Sequence, residues 1–173
     1  MQAQIELVPY DPGWAEEFER RCRDIQGALG EAAVAVEHIG STSVPGLAAK
    51  PIVDIQVQVP SFEPMEAYRD PLERLGYEYR PDDDAGHRFF RLDVDGRRVV
   101  NMHVVEAGSD WGTRDLAFRD YLRAHPDEAR RYEELKRELA TKFSPAHVQR
   151  YAEGKSPYIE SVYAKIRAQR EDL

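Results

Sequence analysis

The residues whose types and spacing suit chemistry concentrate in one stretch, HIGSTSVPGLAAKPIVDIQV, from His38 to Val57. Its first half holds Gly40, Ser41, Thr42 and Ser43, a turn of small residues whose backbone N–H groups and hydroxyls suit a phosphate or carboxylate. In its second half apolar and polar residues alternate. Ile52, Asp54, Gln56 and Gln58 therefore share one face of a strand, and Val53, Ile55, Val57 and Val59 share the other. An aspartate in an Ile/Val strand is costly to bury unless it is paired or faces a cleft. Beside an anion cradle it is a place for a divalent cation, Mg2+ or Mn2+, and two carboxylates at i and i+2 would hold such an ion in parallel. Here the second position is Gln56, whose amide oxygen is a neutral ligand that cancels no charge. Asp54 and Gln56 are thus the candidate metal ligands.

Ordinary explanations compete with each of these residues. A Ser/Thr/Gly cluster also forms a loop that satisfies its own backbone. It is not an ordinary P-loop, because Gly46 precedes Leu47 rather than lysine. Asp54 also suits a structural ion pair. His38 and His103 suit phosphate binding, proton transfer or metal ligation, and equally a hydrogen bond to a backbone neighbour. Lys50, which returns the chain to the sheet, and Lys155, which follows Gly154, are candidate phosphate-binding cations or solvated loop lysines.

These residues need elements to hold them. Asp11 and Pro12 signal the start of a helix whose apolar stripe is Trp14, Phe18, Cys22, Ile25 and Leu29, with Gly30 as its stop. Cys22 reads as core. A short strand then delivers His38 to the turn. Residues 61–76 suggest a helix broken or restarted at Pro71. HRFFRLDVDGRRVVNMHVV reads as two strands reversing at Asp95-Gly96, with Asn101 and His103 on one face of the second. Asp93 is a candidate third carboxylate or an exposed hairpin residue. Beyond Gly108 the pattern is helical: Pro126 starts one helix, and Ser144-Pro145 and Ser156-Pro157 are cap-and-start pairs for two more. The expected architecture is a single α/β domain over residues 1–173, a mixed sheet covered by helices with a helical C-terminal part.

Composition narrows the function classes. The chain has 173 residues, 42% hydrophobic and 32% charged, which is a globular composition. It has no long apolar run and no secretory N-terminal pattern, and a single cysteine rules out an internal disulfide. The expectation is a cytoplasmic protein with no membrane association. A net charge of -8 argues against general nucleic-acid binding and leaves room for a small-molecule or nucleotide ligand. Oligomeric state is not readable.

The segment HIGSTSVPGLAAKPIVDIQV, together with NMHVV, FRDYLRAHPDEARRYEELK and YAEGKSPYI, resembles the GrpB-like (UPF0157) proteins over nearly the whole chain. That group in turn resembles the nucleotidyltransferase superfamily. The resemblance implies a glycine-serine turn at Gly40 and Ser41, a first metal carboxylate at Asp54 and a second at the position of Gln56, where this sequence departs from the pattern. It also implies a histidine of the later strand at His103. The function expected from it is binding of a nucleoside triphosphate with Mg2+ and transfer of a nucleotidyl group to a small acceptor, with Asp54, Gln56 and His103 as catalytic residues. Two alternatives remain: a noncatalytic nucleotide or anionic-metabolite binding protein, or a metal-assisted ligase or hydrolase.

Overall fold

The computed structural model describes residues 5–143 and 145–171. The chain runs α1 (Gly13–Leu29), β1 (Ala35–Ile39), β2 (Val53–Val59), α2 (Glu66–Arg74), β3 (Glu78–Tyr79), β4 (Arg88–Val94), β5 (Arg97–Glu106), α3 (Asp110–Ala124), α4 (Pro126–Lys142) and α5 (Val148–Glu171). The five strands form one sheet in the order β1-β2-β5-β4-β3, in which β2 and β5 are parallel and every other pair is antiparallel. The expected α/β class, mixed sheet and helical C-terminal part are all present.

The two faces of the sheet follow from the alternation in β2 and β5. Val53, Ile55, Val57 and Val59 join Val100, Met102 and Val104 against Trp14, Ile25 and Leu29 of α1 and Tyr68 and Leu72 of α2. Full burial of each such side chain contributes on the order of 1.5–3 kcal/mol. The opposite face carries Asp54, Gln56, Asn101 and His103, and the parallel register sets Asp54 beside Asn101 and Gln56 beside His103. Helices α3 to α5 cover this polar side, packed together through Leu122, Tyr132 and Val162.

Turn chemistry places the strands. Asp11 Oδ1 accepts from Gly13 N at 2.8 Å at the start of α1. The β4–β5 reversal has left-handed backbone at both Asp95 and Gly96, the pairing a two-residue hairpin requires.

Three expectations are corrected. Pro71 neither breaks nor restarts α2, because Tyr68, Pro71 and Leu72 are all buried and their packing offsets the missing N–H. Ser156-Pro157 does not start a helix: α5 runs through Pro157, held on one side by buried Tyr151 and on the other by buried Val162. Cys22 is half-buried at the edge of the α1 stripe rather than in the core. The other proposed cap, Ser144, lies outside the described residues.

Between β1 and β2 the chain makes a single 3-10 turn, Ser41–Ser43, and then runs irregularly, with Val8 and Ala49 bridged. Gly40 enters the turn at φ +71°, and a Cβ there would lie 2.4 Å from Asp54 Oδ2. Gly46 also has positive φ, +82°, but open space around it. Gly40→Ala therefore combines backbone strain with a clash and costs about 2–4 kcal/mol, whereas Gly46→Ala costs only about 1 kcal/mol, a gap to be read from urea denaturation midpoints.

Candidate functional site

The Gly40 turn is braced by its own atoms: Ser43 N and Ser43 Oγ both donate to Gly40 O, at 3.1 and 2.5 Å. That leaves Ser41 and Thr42 facing a polar cavity of about 160 Å3, whose wall also includes Lys50, Asp54, Asn101, Lys136, Tyr151 and Lys155. Front sheet and back helices meet here.

Asp54 Oδ1 accepts from Asn101 Nδ2 at 3.2 Å, and Asn101 Oδ1 is buried without a partner among the described residues. Burial pushes the Asp54 carboxyl up, against the opposing pull of Asn101 and of Lys50, Lys155 and Lys136. Lys136 is only 2% exposed; its Nζ donates to Ser41 Oγ at 3.0 Å and to Ala48 O. Burial and the positive charge of Lys155 bring it down to about 7. Lys155 is brought down to about 8, by burial first and then by Lys50. Both ammonium groups of Lys50 and Lys155 stand over the Tyr151 ring, 5.6 and 4.9 Å from its centroid. The neighbouring Gly154 lets α5 approach α4 closely, since a Cβ there would meet Leu139 Cδ2 at 2.6 Å.

Of the expected residues, the cavity therefore gathers Ser41, Thr42, Lys50, Asp54 and Lys155. Gln56 is not among them. It is fully buried beneath α3, where its Nε2 donates to Gly112 O at 3.2 Å and its Oε1 accepts from Gln58 Nε2 at 3.1 Å. The cause is the close seat of α3 on β2, with Gly112 in contact with both Val105 and Gln56. An amide is the residue type this position needs: a carboxylate would face the Gly112 carbonyl oxygen.

His38 lies on the other face of the sheet from Asp54, stacked on Phe18 of α1 at 4.8 Å between ring centroids, with Nε2 2.9 Å from Thr42 Oγ1. Burial and the charges of Arg123 and Arg119 bring it down to about 4, so it is a neutral ring that positions Thr42. His103 joins a separate cluster. Its Nδ1 lies 2.8 Å from His87 Nδ1, and His87 Nε2 lies 2.9 Å from Asp82 Oδ2. A carboxylate only accepts, so His87 Nε2 carries the proton of its contact with Asp82. Trp111 packs tilted against both rings, at 4.6 and 4.9 Å between centroids, and donates Nε1–H to Asp84 Oδ2 at 3.0 Å. Burial and His87 bring His103 down to about 3. Asp93 stays at the hairpin, 3.5 Å from Arg91 and 4.0 Å from Arg98.

Three site residues were not anticipated. Lys136 and Tyr151 line the cavity. Asp115 of α3 is half-buried and pushed up to about 7, by burial first and then by the negative charge of Asp54. It stands one turn after Gly112 and one turn before Arg119, which reaches Glu37 Oε2 at 2.6 Å and His38 O at 3.1 Å. A signal existed for Lys136: it interrupts the Tyr132–Leu139 apolar stripe of α4 with a charge.

Among the described residues, no three or more His, Cys, Asp or Glu side chains gather as a cation cage. None of the helices described is long and apolar enough to cross a membrane.

Comparison with known proteins agrees with this architecture. A UPF0157 protein of Halalkalibacterium halodurans is 40% identical over 169 residues, covering 96% of this chain and 84% of that one. The crystal structure of conserved protein GrpB from Enterococcus faecalis superposes with a TM-score of 0.85 at 35% identity, over 95% of this chain and 99% of that one. A cytoplasmic RNA terminal U-transferase, at 14% identity and a TM-score of 0.44 over 75% of this chain and 43% of that one, is a distant likeness in fold alone. The model of the GrpB protein family matches residues 4–165, and the chain belongs to that family.

Proposed function

We propose that the cavity at the Gly40 turn binds the phosphates of a nucleoside triphosphate together with Mg2+, for nucleotidyl transfer to a small-molecule acceptor. The observation that carries this is the convergence of Ser41, Lys50, Asp54, Lys136 and Lys155 on one polar cavity in a chain of net charge -8. Positive charge concentrated against the trend of the whole molecule favours an anion. Charge-assisted hydrogen bonds from lysine to phosphate are about twice as strong as neutral ones.

The residues fit the metal in one way only. Mg2+ keeps several waters and takes one or two protein carboxylates plus substrate phosphates, so it does not require a full cage. Asp54 supplies the carboxylate and the unpartnered Asn101 Oδ1 a neutral oxygen. Gln56, committed to Gly112 O and Gln58, does not contribute. When bound, such an ion supplies charge neutralisation on the phosphates. In the transfer, an acceptor oxygen or nitrogen bonds to the α-phosphorus as the bond to the bridging oxygen breaks, releasing pyrophosphate, and the acceptor's proton passes to solvent water. Lys136 and Lys155 stabilise the negative charge that builds on that leaving group. Ser41, bonded to Lys136, orients its ammonium. His103 is engaged with His87 and Trp111, so the catalytic role expected of it is not part of this proposal.

A second function, anion binding without turnover, is favoured by the withdrawal of Gln56 from the cavity. Pyrophosphate release separates the two. With Mg2+ and a nucleoside triphosphate, the protein binds saturably by calorimetry, and Asp54→Asn abolishes the Mg2+-dependent part of the affinity, a loss of about tenfold or more. Pyrophosphate release during a small-molecule acceptor screen supports transfer, and binding with no release throughout supports the noncatalytic function. No binding of any nucleotide, of pyrophosphate or of tripolyphosphate by the folded protein contradicts both.

The lysines also fix a pH dependence. Lys136 and Lys155 are brought down to about 7 and about 8, so raising the pH through that window removes cationic charge from the cavity wall. Metal-free pyrophosphate affinity therefore falls about tenfold between pH 7 and 9, measured by calorimetry with correction for buffer ionisation.

A further inference from the structure

The cavity has room and chemistry for a chain of phosphates and for little else. Its volume is about 160 Å3, below the roughly 300–1,000 Å3 of pockets that enclose a whole drug-sized ligand. Base recognition in proteins depends on a free aromatic face for stacking or on side chains arrayed against the edge of the base. Neither is available here. Tyr151 is the aromatic residue in the lining, it is 1% exposed, and the ammonium groups of Lys50 and Lys155 already stand over its ring. Among the described lining residues the one carboxamide is Asn101, whose Nδ2 is given to Asp54 and whose Oδ1 is the oxygen assigned above to the metal. The aromatic cluster further along the sheet is likewise closed on itself, with Trp111 packed against His87 and His103 and its Nε1–H committed to Asp84.

Resting on the anion site proposed above, we infer that this site recognises an oligophosphate chain and leaves the nucleoside outside, so that it does not distinguish one base from another. A linear triphosphate presents the same oxygens to Lys136, Lys155 and Ser41 whether it carries adenosine, uridine or no nucleoside. The shared ligand chemistry is thus a metal-complexed oligophosphate, with nucleoside triphosphates and inorganic tripolyphosphate as its two sources.

Titration calorimetry of the full chain in excess Mg2+ tests this with ATP, GTP, CTP, UTP and inorganic tripolyphosphate. All five bind with dissociation constants within about threefold of one another, and Lys155→Met weakens all five by a common factor of about tenfold. A preference of more than about tenfold for one nucleotide, or binding of nucleotides without tripolyphosphate, overturns the inference while leaving the anion site standing. If none of the five binds to protein shown by circular dichroism to be folded, the anion site fails and the inference fails with it. Should Lys155→Met not fold, the comparison of the five ligands on the unaltered protein decides alone. Tighter binding of tripolyphosphate than of every nucleotide supports the inference and identifies the inorganic chain as the better ligand.

Discussion

The buried ammonium of Lys136 ties the two parts of this molecule together. It reaches from α4 to Ser41 Oγ and Ala48 O, so the helical C-terminal part is fastened to the loop that leaves β1. Glu133, one turn earlier, accepts from Ala48 N at 2.9 Å and fastens the same loop from the other side. A cation at 2% exposure is costly to desolvate, and a neutral hydroxyl and a carbonyl only partly offset that cost. Its lowered proton affinity expresses the same imbalance. An anion in the cavity, as proposed, would supply what the protein leaves unbalanced.

Positive charge is concentrated by geometry rather than by composition. The chain is acidic overall, yet α4, α5 and the segment before β2 each direct a lysine to the same place. Gly154 permits the close approach of α5 to α4, and Gly40 permits the turn to lie against the Asp54 carboxylate. Either glycine with a side chain would force these elements apart. Asp54 lies within this positive field beside Asn101, and Asp115 adds a second, half-buried carboxyl under the influence of the first.

Much of the fold was legible because its patterns are local. Alternation in KPIVDIQVQVP set the two faces of β2, and Asp95-Gly96 announced the β4–β5 hairpin. The grouping of Ser41, Thr42, Lys50, Asp54 and Lys155 was legible in part, from the glycine-serine turn and the lone aspartate of the strand. What could not be read depended on docking between distant elements. Gln56 and Asp54 share a strand face, but only the seat of α3 on β2, at Gly112, decides that one is sealed and the other faces the cavity. His38 and His103 looked equivalent, yet strand register sends His38 to the α1 face and His103 to His87 and Trp111. Pro71 and Pro157 carried a strong local signal to stop a helix, and burial on both sides overrode it. Lys136 was hidden among the charges of α4, although its place in the apolar stripe was the clue.

The most direct test of the cavity as an oligophosphate and metal site is a crystal structure of the protein soaked with Mn2+ and tripolyphosphate, with anomalous data for the metal. The account predicts an anomalous peak in coordination with the Asp54 carboxylate, about 2.0–2.3 Å from its oxygen, and phosphate oxygens within hydrogen-bonding reach of Lys136 and Lys155. Metal and phosphate located together away from this cavity, for instance at His87 and His103, or a cavity empty of both at saturating ligand, would contradict it.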